Sequence, residues 1–130
     1  MSQESLDVVR GVLDGWQGSD SRGLELLAPD VEYISDVPLL GGQWRGHEGV
    51  IRWFTDFRRE WTDYEMTLDR LEDLGERVLT VESHRATGKR SGVSLDIRTA
   101  SIWTVRDGKV VRWQGFRHEH EALEAAGLPG

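Results

Sequence analysis

The hydrophobic period of this chain changes at Tyr64. Before it, Leu6, Val9, Val12, Leu13 and Trp16 fall on one helical face, and Val50, Phe54, Phe57 and Trp61 are spaced four, three and four apart on another. Both sets match the period of an amphipathic helix. After it, apolar and polar residues alternate, and turn chemistry recurs at Gly75, at Gly88-Lys-Arg-Ser-Gly92 and at Asp107-Gly108. This predicts four strands near 63–73, 77–87, 93–105 and 109–118, joined by hairpins and therefore antiparallel. Asp107-Gly108 suits the positive φ angles of a tight hairpin turn, and Gly115 inside the last strand marks a bulge or bend. Helices first and strands after give an α+β protein whose one long sheet must curve around the helices. The 130 residues match a typical domain length, so residues 1–130 are expected to form a single domain.

The connections follow from local chemistry. Ser2 caps the first helix and Gly18-Ser19 ends it. Asp20 or Ser21 opens a short second helix carrying Leu24, Leu26 and Leu27, which Pro29 stops. The alternation from Asp30 to Asp36 reads as a short strand ending at Pro38. The segment from Leu39 to Gly46 is Gly-rich, yet it holds Leu39, Leu40 and Trp44, a composition that suits a lid over a cavity. Glu119 to Ala126 is a last short helix, stopped by Gly127 and Pro129.

Composition narrows the function. A net charge of −7 repels phosphate and anionic lipid, so neither nucleic acid nor membrane is an expected partner. The absence of cysteine excludes disulfides, thiolate metal sites and thiol nucleophiles. No apolar run approaches the ~18 residues of a membrane span, and a cytoplasmic protein is expected. His47, His84, His118 and His120 show no metal-ligand spacing, so no metal and no cofactor is expected. Six of the eleven aromatic residues are Trp. Such a set either fills a small core or encloses a large flat ligand.

The order of elements, with Leu27-Ala-Pro-Asp30-Val, Trp44-Arg-Gly46-His-Glu-Gly-Val-Ile51, Val105-Arg-Asp-Gly108-Lys-Val-Val-Arg-Trp113 and Glu121-Ala-Leu-Glu-Ala-Ala-Gly-Leu128, resembles the SnoaL-like branch of the NTF2-like superfamily. These segments span almost the whole chain. The resemblance implies a cone-shaped fold, with N-terminal helices packed in a curved antiparallel sheet that encloses an apolar pocket, and a homodimer formed through the outer sheet face. Its members include ketosteroid isomerases, polyketide cyclases, limonene epoxide hydrolases and simple binding proteins.

Carried over residue by residue, the resemblance yields partial matches. A base follows the first strand in the ketosteroid-isomerase-like members, and Asp36 lies beside that place, although its position also suits a turn. The oxyanion-donor Tyr of their first helix has no counterpart in Val12-Leu-Asp-Gly-Trp16. The epoxide-hydrolase triad is likewise missing: its positions read Glu82, His84 and Gly115. Glu82 and His84, two apart on one strand, share a face, and the resemblance turns that face into the pocket. A carboxylate beside an imidazole raises the His pKa and suits a general acid/base. The opposite parity, with Leu79, Val81 and Ser83 inward, is the competing reading. Asp96 and Arg98 fall opposite the apolar set Leu95, Ile97, Thr99, Trp103 and Val105, on the outer face.

The expected catalytic residues are therefore Glu82, His84 and Asp36. Trp16, Tyr33, Trp53, Phe57, Trp61 and Trp113 come from cone-lining elements, Trp44 from the lid and His118 from the end of the last strand; these are the expected ligand contacts. The expected function is cofactor-free isomerisation, dehydration or cyclisation of an apolar aromatic or polyketide-like small molecule. A non-catalytic binding or sensor protein with the same pocket is the alternative.

Overall fold

The computed structural model describes residues 2–18, 22–37 and 41–128. Helices α1 (Ser2–Gly18) and α2 (Arg22–Glu25) lead into strand β1 (Leu27–Ser35). Strand β2 (Gly42–Arg45) and helix α3 (Gly46–Glu60) follow. Strands β3 (Trp61–Asp73), β4 (Arg77–Gly88), β5 (Ser94–Arg106) and β6 (Lys109–Phe116) then lead to helix α4 (Glu119–Ala125). The helix-end signals expected at Ser19, Asp20 and Ser21, the strand stop expected at Pro38, the Leu39 and Leu40 of the expected lid, and Pro129 lie outside the described residues, as does the Ser2 side chain.

The strands form one curled, unclosed sheet in the order β2-β1-β6-β5-β4-β3. The meander from β3 to β6 is antiparallel, as the turn chemistry predicts. Asp107 and Gly108 both take positive φ, 53° and 76°, at the β5–β6 hairpin.

Two differences from the sequence reading lie in the first half. Strand β1 begins at Leu27, before Pro29, because it docks in parallel on β6; the register shifts between Leu27 and Glu32, so Pro29 sits where the ladder is already interrupted. Gly42–Arg45 is not loop but strand: it pairs antiparallel with β1 and sets Trp44 opposite Tyr33.

Both faces of the sheet are covered. On the inner face, α1 and α3 pack Val9, Val12, Leu13 and Trp53 against Val31, Val78, Trp103 and Val110. On the outer face, Ala122 and Ala126 cover Leu79, Val81, Ala100 and Ile102. The second cluster settles the parity of β4. Leu79 and Val81 face α4, so Val78, Thr80, Glu82 and His84 face the helices. Arg98 lies on the outer face, where it pairs with Asp69 at 3.3 Å.

Candidate active site

The β4–β5 register places Glu82 opposite Thr99 and Thr80 opposite Ser101. The odd positions of β5 are otherwise apolar and, except for half-buried Ile97, buried, so these two hydroxyls put hydrogen-bonding capacity into an apolar layer. Glu82 uses it. It is 2% exposed, and its two carboxyl oxygens accept from Thr80 Oγ1 at 2.6 Å and from Thr99 Oγ1 at 3.2 Å. Burial pushes the Glu82 carboxyl up to about 7, against the pull of the Thr80, Ser101 and Thr99 hydroxyls.

His84 stands one pleat further along and does not touch Glu82 directly. Its Nε2 lies 2.9 Å from Thr99 Oγ1, and its Nδ1 lies 2.7 Å from the Tyr64 hydroxyl, which accepts from Trp16 Nε1 at 2.8 Å. An indole N–H can only donate. Trp16 occupies one Tyr64 lone pair, and in the Nε2–H tautomer of His84 the phenol proton goes to Nδ1. The Nε2–H then donates to Thr99, whose own proton goes to Glu82. At the other carboxyl oxygen the same logic holds, because Trp103 Nε1 donates to Thr80 Oγ1 at 2.7 Å and Thr80 donates onward. In this arrangement two hydrogen-bond chains begin at indole donors and converge on one carboxylate.

This corrects the expectation that Glu82 raises the His84 pKa. Burial lowers His84 to about 4, with Asp69 opposing. The imidazole is neutral at pH 7. Burial likewise holds the Tyr64 and Tyr33 phenols protonated, with pKa values raised above the usual range.

Glu82, His84, Tyr64, Thr99 and Ser101 border an inner cavity of about 40 Å³ together with Trp16, Tyr33, Trp53, Phe57 and Trp113. Seven expected aromatic or catalytic positions from five separate elements therefore meet here. The rings fill most of the cone by stacking on one another: Trp16 on Trp53 at 4.4 Å, and Trp113 between Tyr33 at 4.3 Å and Trp103 at 4.2 Å. A second hollow, about 300 Å³, lies between the helices and is lined by apolar groups including Leu24, Leu27, Val50 and Phe54. Trp16 and Trp113 border both.

The remaining expected positions lie elsewhere. Asp36 is exposed beyond β1, outside both cavity linings, with its backbone N–H bound to Gly115 O at 3.0 Å. Trp44 and Trp61 border a separate hollow beside α3. His118 is exposed at the start of α4, where its backbone N–H donates to Glu121 at 3.0 Å. Among the described residues, no three His, Asp or Glu side chains are grouped to hold a metal ion, and no helix is long and apolar enough to cross a membrane.

Thr80, Thr99, Ser101 and Tyr64 were not singled out from the sequence. The signal for Thr99 and Ser101 was present, as two hydroxyls in an otherwise apolar parity. Nothing local marks Tyr64, whose partners are 48 residues away at Trp16 and 20 away at His84.

The family model for the SnoaL-like domain matches residues 9–113, and the chain belongs to that family. No curated protein matches it by sequence. Among solved structures, an NTF2-like protein from Burkholderia thailandensis is 26% identical, with a TM-score of 0.80 over 96% of this chain and 98% of that one. An NTF2-like protein of unknown function from Burkholderia pseudomallei is 23% identical, with a TM-score of 0.79 over 93% and 95%. TerC, co-crystallised with polyporic acid, is 21% identical, with a TM-score of 0.78 over 93% and 98%. The fold is therefore the NTF2-like α+β fold.

Proposed function

We propose that this protein is a cofactor-independent acid/base enzyme in which Glu82 is the general base. Its substrate is an apolar small molecule, aromatic or polyketide-like, carrying a C–H bond next to a carbonyl. The observation that carries the reading is a buried carboxylate at a cavity wall with a pKa near 7. A carboxyl raised toward neutrality combines, at pH 7, access to the charged form with useful basicity.

In this reading Glu82 takes the carbon-bound proton, the C–H bond breaks, and the electron pair moves onto the carbonyl oxygen as an enolate. Glu82, now protonated, returns the proton to another carbon in an isomerisation, or to a departing hydroxide in a dehydration. His84 is neutral and acts through Thr99, which it holds turned toward Glu82; it is a positioning residue. Asp36 has no part in this step. The assembly that accompanies the reading is a homodimer, which sedimentation equilibrium checks.

The test uses 2-tetralone, a bicyclic ketone with acidic C–H bonds, in D₂O. The protein is expected to accelerate deuterium exchange next to the carbonyl, with a rate that rises through a midpoint near pH 7 and is lost in Glu82→Gln. Exchange equal in Glu82→Gln and the unaltered protein would remove Glu82 from the role. The apolar hollow of about 300 Å³, which Glu82 does not border, favours one other reading, a non-catalytic ligand-binding protein. It is distinguished by 2-tetralone binding without exchange.

A further inference from the structure

Two of the rings expected to touch a ligand, Trp44 and Trp61, stand outside the inner cavity. They border a hollow of about 180 Å³ beside α3, together with Trp53, Phe57, Asp56 and Glu60. Trp53, Asp56, Phe57 and Glu60 are spaced three, one and three apart along the helix, so they form one stripe on it. Trp53 and Phe57 are buried, Trp44 and Trp61 are half-buried, and the two acids are exposed. Trp53, Phe57 and Trp61 follow one another at centroid distances of 5.9 and 6.5 Å, with interplanar angles of 21° and 27°, and Trp44 stands at 67° to Trp53. Aromatic planes in two orientations therefore meet around the hollow.

The charge in this hollow is all of one sign. Among the described residues its charged lining groups are Asp56 and Glu60. Like charges four apart on a helix repel each other, and Glu60 ends α3, where the helix dipole is negative and an acid is disfavoured. Arg59 answers part of this, 3.9 Å from Asp56 with both side chains largely exposed. Arg58 lies over the Phe54 ring at 4.7 Å and donates to Trp16 O at 3.4 Å, and neither arginine lines the hollow. The Glu60 carboxylate has no ion pair among the described residues, and its backbone carbonyl accepts from the Lys89 backbone N–H at 2.9 Å. Two carboxylates beside indole rings at a helix C-terminus repel each other, and a bound cation relieves that repulsion.

We infer that this hollow binds a small alkylated ammonium, such as a trimethylammonium head group, with aromatic rings against its methyl groups and Asp56 and Glu60 as its counter-charge. Aromatic rings attract cations, most strongly where the cation sheds its water. A trimethylammonium has no N–H to hydrogen-bond to water, whereas a primary ammonium is strongly hydrated and loses more on entering. A hard metal ion takes six or more oxygens, which two carboxylates among rings do not supply. The volume lies below the ~300–1,000 Å³ of drug-sized sites, so it holds a head group and leaves the rest of a longer molecule in solvent. The net charge of −7 draws cations toward the protein. Glu82 lines the inner cavity and not this hollow, so the site is independent of the chemistry at Glu82.

The experiment compares choline with 3,3-dimethylbutan-1-ol, its neutral isostere with carbon in place of nitrogen, and with ammonium chloride. It uses ¹H–¹⁵N spectra of the tryptophan indoles at constant ionic strength. Choline is expected to move the Trp44 and Trp61 Nε1–H signals saturably and to bind about tenfold more tightly than the isostere, the size of a cation–π contact. Ammonium is expected to leave both signals in place. Asp56→Asn combined with Glu60→Gln, both at exposed positions, is expected to weaken choline binding about tenfold and to leave the affinity of the isostere unchanged. The spectra of the unaltered protein decide the question without any variant. Equal affinity for choline and the isostere would mean an apolar hollow only, an equal response to ammonium would mean general surface charge, and unmoved Trp44 and Trp61 signals would mean no site; each result overturns the inference. Choline binding that survives the double substitution overturns it as well.

Discussion

Thr99 is the bridge between Glu82 and His84: its hydroxyl oxygen lies 2.9 Å from His84 Nε2 and 3.2 Å from Glu82 Oε2. The imidazole therefore influences the carboxylate through an oriented hydroxyl rather than through its own charge. Thr99→Val keeps the shape, removes the bridge and strands two buried polar groups. It is expected to cost about 2 kcal/mol of stability and to push the Glu82 pKa further up, whereas Thr99→Ser retains both properties. Urea unfolding and ¹³C carboxyl titration check this. A Glu82 titration unchanged in Thr99→Val would show that the bridge does not tune the base.

Burial gives the two residues opposite pH dependences. Glu82, moved from 4.5 to about 7, stays protonated in the fold where the unfolded chain ionises; its contribution is full below pH 4.5 and lost as pH rises to 7. His84, moved from 6.5 to about 4, stays neutral where the unfolded chain protonates; its contribution is full above pH 6.5 and lost as pH falls toward 4. Each is worth about 3 kcal/mol, and between pH 4.5 and 6.5 they offset each other. Glu82→Gln is expected to unmask stability that rises with pH across this window, and His84→Asn stability that falls. Denaturation midpoints at both ends of the window decide it, and parallel profiles for the two variants would refute it.

With one Tyr64 lone pair taken by Trp16, a phenol proton donated to His84 Nδ1 favours the Nε2–H tautomer. Tyr64→Phe is expected to let His84 populate both neutral tautomers, visible in its ¹⁵N shifts as a move away from a pure Nε2–H pattern. Trp16→Phe should produce a weaker version of the same change. A single tautomer persisting in Tyr64→Phe would mean that Thr99 alone sets it.

Gly115 borders the inner cavity, and a Cβ there would stand 3.2 Å from Ser35 Oγ, with no unusual backbone angle involved. Ser35 Oγ accepts from the Val37 backbone N–H at 3.2 Å. Gly115→Ala is expected to cost about 1 kcal/mol through displacement of that hydroxyl and to weaken 2-tetralone binding by narrowing the cavity. Calorimetric titration beside thermal melting checks both. Unchanged affinity would place the ligand outside the inner cavity.

Much of the architecture was legible along the chain because it rests on local rules. The helical spacing of Val50, Phe54, Phe57 and Trp61, the alternation after Tyr64 and the Asp107-Gly108 turn each speak for elements within a few residues of themselves, and the meander follows from adjacency. Pairing in parallel with a distant strand has no local signature, so the early start of β1 on β6 and the Trp44–Tyr33 register were invisible. Glu82 and His84 could be assigned a common face from their spacing, but not which face.

That last choice belonged to tertiary structure. Leu79 and Val81 are as apolar as a core requires, and they found theirs under α4, a helix 40 residues later, which turned Glu82 inward. Once buried, its properties followed from neighbours that sequence distance hides: hydroxyls on the next strand, two indoles at the far ends of two hydrogen-bond chains, and the loss of water that raises one pKa and lowers the other. Residue types and their periods determine which segments become helix or strand. Desolvation and hydrogen-bond direction are properties of assembled surroundings, and only the folded chain supplies them.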